Sequence, residues 1–189
     1  MKLTKWMWAC VFLLGCGTVA LAQDAAPAAK PTVATILNGY VGIVEREFVP
    51  AAEAMPEDKY SFAPTNGEFK GVRTFAEQVK HVATTNYALG AAILQEKPPI
   101  ESNDENGPAS VKTKADILKY LNDSFAYLHK ALGTLTEENL LQPIKNPFGD
   151  GTIPRFRVVL IALGHPWDHY GQMVEYLRMN GIVPPASRK

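Results

Sequence analysis

The chain has 189 residues, and its 19 Lys and Arg balance its 19 Asp and Glu at a formal net charge of zero. No run of Lys or Arg occurs, which excludes a nucleic-acid or anionic-membrane surface built on basic charge. The only two cysteines, Cys10 and Cys16, stand near the start, so beyond them disulfides, thiolate ligands and a cysteine nucleophile are excluded.

Residues 1–22 read as an export signal: Lys2 and Lys5 precede an apolar run, and Ala20-Leu21-Ala22 has the small-x-small form cut by a signal peptidase. Leu13-Leu14-Gly15-Cys16 also resembles a lipoprotein processing site, and the run is barely long enough to remain as a membrane anchor. Cleavage after Ala22 leaves the more usual length, and it implies a periplasmic or extracellular protein with no stable membrane insertion. Because two of the 19 basic residues lie in this segment, the rest carries 17 against 19 acidic, a net charge of −2. Residues 23–31 are an Ala/Pro-rich tether, and residues 32–189 are long enough for one domain with a sizeable core.

No internal repeat and no strand-like alternation follows. Instead, helical periodicity recurs in four stretches. The first, over residues 32–54, puts Val33, Leu37, Tyr40, Val44 and Phe48 on one face and carries Pro50 near its end. Residues 56–70 form a loop whose aromatics, Tyr60, Phe62 and Phe69, are expected to fold over the bundle end. The second helix, over 72–95, has Phe75, Val79, Val82, Leu89 and Ile93 as its apolar stripe. About 120° from that stripe runs a row of small and polar side chains, Thr74, Gln78, His81, Thr85, Ala88 and Ala92, suited to line a cavity or to form a solvated edge.

Residues 96–111 are a polar loop, either a lid or a long connection. The third helix, over 114–135, turns Ile117, Leu121, Phe125, Leu128 and Leu132 inward, and His129 flanks that stripe as a structural or partly exposed residue. Thr136 caps a short turn through Glu137 to Leu141, with Glu137 and Glu138 in its first turn, where a helix dipole favours acids. Residues 142–153 are a turn-rich connection, and Pro154 suits the first turn of a fourth helix that stops at Asn180 and Gly181.

On that fourth helix His165 and His169 are one turn apart, with Cβ atoms on the order of 6 Å from each other. They share a side with Val158, Ile161, Ala162, Gln172, Met173 and Tyr176, so both look into the core. Each buried imidazole needs a partner, and one metal ion serves both. A third ligand must then come from elsewhere, and His81 and His129 are the remaining histidines. Pro166 removes a helical hydrogen bond, so a kink or restart is expected at the pair.

His81 on a second helix, the HxxxHYGQ pattern of His165, His169, Tyr170, Gly171 and Gln172, and the YLRMNGIVPP ending together resemble the DinB-like superfamily. The resemblance extends over residues 33–186 and implies an all-α, four-helix bundle of down-up-up-down order with long loops. It also implies frequent homodimers and a divalent ion, often zinc or nickel, on three histidines, by position His81, His165 and His169. Gln78, Thr85, Gln172 and Tyr176 fall where they would line or support such a site.

Three neutral imidazoles leave a coordination position open, the arrangement of a catalytic zinc site, and they suit zinc, nickel, copper or iron. A zinc-protease HExxH pair is excluded because Pro166 occupies the Glu position, and no His has Glu three positions before it, as di-iron bundles require. Asp168, about 60° from His165 on the helical wheel, is the one carboxylate placed as a base, or else a solvated helix acid. The leading reading is a metal-dependent enzyme of hydrolase or transferase type acting on a small molecule. The rival is a non-enzymatic bundle that binds metal or a small ligand. The back of the fourth helix carries Phe156, Leu160, Leu163, Trp167, Tyr170, Val174 and Leu177. That apolar face is expected either to be covered by loops or to pair in a homodimer anchored by Trp167 and Tyr170.

Overall fold

A computed structural model of the chain describes residues 30–189. The expected signal peptide, Cys16 within it, and the tether up to residue 29 lie outside the described residues. Helix α1, Val33–Ala54, opens with a capping box in which Thr32 and Thr35 satisfy each other's backbone N–H groups. Its buried stripe is Val41, Val44, Phe48, Ala51 and Ala52. Tyr40, expected inward, is 43% exposed, because the stripe is phased on Val41, one residue and about 100° further round. The loop behaves largely as its aromatics suggest. Tyr60 is buried and donates its hydroxyl to the Ala52 carbonyl at 2.7 Å, and Phe62 meets Tyr176 edge-on at 5.6 Å. Phe69 stays exposed.

Helix α2, Phe75–Leu94, starts three residues later than the apolar pattern suggests, because Thr74 and Glu77 form a capping box that fixes the first turn. Helix α3, Lys114–Leu132, buries Ile117, Leu121, Phe125, Leu128 and Leu132 as its spacing requires. The one-turn helix α4, Glu137–Leu140, follows its Thr136 cap. Where a strandless connection is expected, a short antiparallel hairpin forms from β1, Pro143–Lys145, and β2, Thr152–Pro154. Ile144 faces Ile153 across it, and both are buried. Three-residue strands with a single apolar residue each are too short to display alternation in the sequence.

Helix α5, Arg155–Met179, begins directly after Pro154 and runs unbroken through Pro166. The lost hydrogen bond costs about 3 kcal/mol. Core side chains on both sides of the proline offset it, Val158, Val159 and Ala162 before it and Met173, Tyr176 and Leu177 after, at about 1.5–3 kcal/mol for each large one.

Contacts fix the helix directions. Lys114 Nζ donates to the carbonyls of Glu53 and Met55 while His129 meets Asn38, so α1 and α3 are antiparallel. Thr84 pairs with Tyr120 and Asn86 with Ser124, so α2 and α3 are parallel. Gln78 pairs with Gln172 and His81 with His165, which makes α2 and α5 antiparallel. With α1 opposite to α3, α3 parallel to α2 and α2 opposite to α5, α5 runs parallel to α1, against which Tyr170 reaches Glu47. The bundle is therefore down-up-up-down. No helix among the described residues is long and apolar enough to cross a membrane.

Candidate metal centre

The capping box at Thr74 sets the phase of α2 so that Gln78 and His81 face α5, and the antiparallel packing brings them level with His165 and His169. Nε2 of His165 lies 3.1 Å from Nε2 of His81 and 3.1 Å from Nε2 of His169. Four tetrahedral ligands at zinc–nitrogen distances stand about 3.3 Å apart. Both separations from His165 Nε2 are thus close to those in a coordination sphere, and all three ligand atoms lie within 4.8 Å of one another.

The outer ring nitrogens decide which protons the cluster holds. His81 Nδ1–H donates to the Glu105 carbonyl at 2.7 Å, and His169 Nδ1–H donates to Gln78 Oε1 at 2.5 Å. Gln78 Nε2 donates to Gln172 Oε1 at 2.8 Å, which turns Gln78 Oε1 toward His169. In the neutral rings, Nε2 of His81 and of His169 therefore carries a lone pair. His165 Nε2 can donate to one of them at most, and its own Nδ1 is buried without a partner. Lone pairs converge on one point, an arrangement that a cation resolves. Burial, then the neighbouring imidazoles, lower the His165 pKa to about 3. Burial first, with His81 and Arg73 adding to it, lowers His169 to about 4, and burial lowers His81 as well. All three rings are neutral near pH 7, the form that ligates, and together they can hold a metal ion.

The sequence pattern of the DinB superfamily matches residues 43–173, which include all three histidines. The chain belongs to the DinB superfamily. Solved structures of the same architecture include a DinB-like protein of Bacillus cereus ATCC 10987, 16% identical, with a TM-score of 0.65 over 82% of this chain and 96% of that one. The DinB-like protein YjoA of Bacillus subtilis is 18% identical, with a TM-score of 0.61 over 82% of this chain and 99% of that one. A conserved protein of Enterococcus faecalis, also 18% identical, gives 0.64 over 79% and 98%. At such identity the likeness is one of fold. No curated protein matches the chain.

Around the histidines of this DinB-superfamily chain, the other expected residues separate into near and far. Gln172 Nε2 reaches Asp168 Oδ2 at 3.4 Å, so exposed Asp168 ends a chain running through Gln172 and Gln78 to His169. Thr85 is half-buried one turn beyond His81 and takes no part in that chain. Tyr176 donates to the Arg73 carbonyl at 3.1 Å and so braces the entry to α2. The expected row of small residues does reach a cavity, but at its far end: Ala88 and Ala92, with Gln95, Lys145 and Pro147, line about 410 Å³ beside the hairpin. His129 lies away from the cluster, against Asn38 and Glu45 of α1. On the back of α5, Leu177 is buried and the Tyr170 hydroxyl donates to Glu47 of its own chain at 3.0 Å. Trp167 is half-buried against Tyr170, and Leu160 is 53% exposed.

Arg73 and the 96–111 loop are the neighbours that sequence periodicity does not reveal. The loop returns along α2 and seats Gly107, at φ +81°, where a Cβ would stand 3.0 Å from Thr84 Oγ1. A left-handed, tightly packed position of this kind suits glycine alone. That seat delivers the Glu105 carbonyl to His81.

Proposed function

We propose that the protein is an exported, metal-dependent enzyme of hydrolase or transferase type, with His81, His165 and His169 holding a divalent ion, zinc or nickel. The observation that carries this reading is the convergence of three Nε2 atoms whose rings are fixed from behind by the Glu105 carbonyl and Gln78. An ion on three imidazoles keeps a position for water or substrate and would act there as a Lewis acid. Hydrolysis is preferred, because water fills that position by default. The protein's own part is to hold the rings neutral, fix their tautomers and keep the apolar core behind them dry. Export rests on the Lys-flanked apolar run and the Ala20-Leu21-Ala22 site.

Metal analysis of protein purified without a histidine tag, followed by hydrolase and transferase screening of metal-loaded and stripped samples, tests the reading. Activity lost on stripping and restored by one metal supports it. Stoichiometric metal with no activity in any form leaves a binding protein and overturns the enzyme.

The same reading includes a homodimer. Ile36, Tyr40 and Ile43 are exposed on α1, and the parallel register set by Tyr170 on Glu47 puts exposed Leu160 level with Leu37. These residues and half-buried Trp167 form one apolar band across α1 and α5, which a second copy would cover, with Trp167 and Tyr170 at its edge. Sedimentation at micromolar concentration should show a dimer that Ile43→Glu and Leu160→Glu dissociate, and a monomeric wild type would exclude it.

A further inference from the structure

Arg73 immediately precedes the Thr74 cap of α2, and its side chain crosses to the loop over the metal centre. Its Nε donates to Asn106 Oδ1 at 2.8 Å and its Nη2 to Glu105 Oε2 at 2.9 Å. The Glu105 carbonyl, on the same residue, accepts from His81 Nδ1–H at 2.7 Å. The guanidinium therefore stands one residue away from the cluster, near enough for its charge to act on all three imidazoles.

A fixed cation there does nothing for metal binding, since it repels an incoming divalent ion. Its present counter-ion is loosely held: the Glu105 side chain is 80% exposed against 29% for Arg73, and such a wet pair contributes little. The parts that seat the loop do not need that carboxylate, because the Asn106 bond, the Glu105 carbonyl and the Gly107 seat are separate from it. A planar carboxylate on the guanidinium is already accommodated beside the histidines, and it can exchange without moving His81. The Asp168 carboxylate, on α5 and in contact with Gln172, places a negative charge that acts on His165. An anion is thus favoured beside Arg73 and opposed beside Asp168.

We propose that Arg73 anchors a carboxylate of the substrate, which displaces the Glu105 side chain while a second group of the same molecule occupies the position left by the three imidazoles. The substrate is then a small carboxylate-bearing molecule with its reacting group a short chain away. This rests on the metal reading above.

The test uses the Co²⁺-loaded protein, whose visible spectrum reports ligands entering the metal's open position. Wild type, Arg73→Gln and Glu105→Gln are titrated with acetate and with malonate, succinate and glutarate. In wild type the best-fitting dicarboxylate should bind about tenfold tighter than acetate, the worth of one charge-assisted bond. Arg73→Gln should remove that advantage, weakening the dicarboxylate far more than acetate, whereas Glu105→Gln, freed of the internal competitor, should bind the dicarboxylate more tightly than wild type. Opposite directions for the two partners are not what a merely structural ion pair gives. Equal binding of acetate and every dicarboxylate by wild type, or an Arg73→Gln protein that keeps the preference, overturns the inference while the cobalt spectrum still upholds the metal site. A wild type that takes up no cobalt overturns the metal reading and this inference with it. Equal cobalt uptake by the three proteins shows that both variants fold.

Discussion

Replacing Gln78 with Leu isolates how much of the metal affinity comes from holding a ring rather than from ligating. Gln78 is buried, accepts the His169 Nδ1 proton and is itself oriented by Gln172. Leucine keeps much of the volume but leaves that N–H without an acceptor in a dry site, which costs about 1–3 kcal/mol. At about 1.4 kcal/mol per decade this predicts metal binding weaker by roughly tenfold to a hundredfold, the usual range for a partner behind a ligating histidine. Gln78→Glu keeps an acceptor and adds charge behind the ring, so its affinity should equal or exceed that of wild type. The assay is competition with a chromogenic chelator near neutral pH, with thermal unfolding of the metal-free proteins to set aside any general loss of stability. A Gln78→Leu protein with affinity within about twofold of wild type would refute the claim that the back of His169 matters.

Ala at His81, His165 or His169 should abolish stoichiometric metal by elemental analysis. His129→Ala should retain it while losing about 1 kcal/mol of stability, because its bonds to Asn38 and Glu45 join α3 to α1. The metal-free protein should weaken in acid. The folded pKa values of His165 and His169, about 3 and about 4, lie below the unfolded value, so the unfolded chain binds more protons between them. Their contribution is complete above about pH 6.5 and falls by up to about 1.4 kcal/mol per pH unit for each group as pH drops toward those values. A urea midpoint constant from pH 7 to pH 4 would contradict it. Gly90→Ala should lower Tm, because its Cβ would lie 2.9 Å from the Tyr127 ring, which a 2.9 Å bond to Glu96 restrains. Overpacking costs about 1–3 kcal/mol against about 1 kcal/mol gained in helix propensity, and a raised Tm would mean that the ring gives way freely.

Periodicity carried the bundle because each main helix buries one stripe, and a stripe is a local property of the chain. The failures lie where a local rule had a competitor. Tyr40 has the size and apolarity of a core residue, yet helix phase is set by the whole stripe and chose Val41. The Thr74–Glu77 pair was legible as a start signal, but the apolar run beginning at Val72 masked it. Pro166 argues for a break from its own chemistry, and only the summed burial along α5 outweighs it. The hairpin holds one buried residue per strand, below what alternation can reveal. Arg73 and Glu105 are 32 residues apart and meet only because the parallel order of α2 and α3 forces the 96–111 loop back along α2.

That same order decides the third histidine. His81 and His129 each flank an apolar stripe, and spacing alone cannot choose between them, since either helix could have faced the pair on α5. In the down-up-up-down arrangement, α2 lies against α5 and runs opposite to it, so the pairing of Gln78 with Gln172 brings residue 81 level with His169. Helix α3 is parallel to α2 and turns its His129 flank to α1, where Asn38 and Glu45 receive the ring. The three-histidine cluster is thus a consequence of helix direction rather than of any motif. HxxxH supplies two nitrogens, and topology selects the third. Reversing α2 against α5 would carry His81 to the other end of the helix and dissolve the cluster with every residue unchanged.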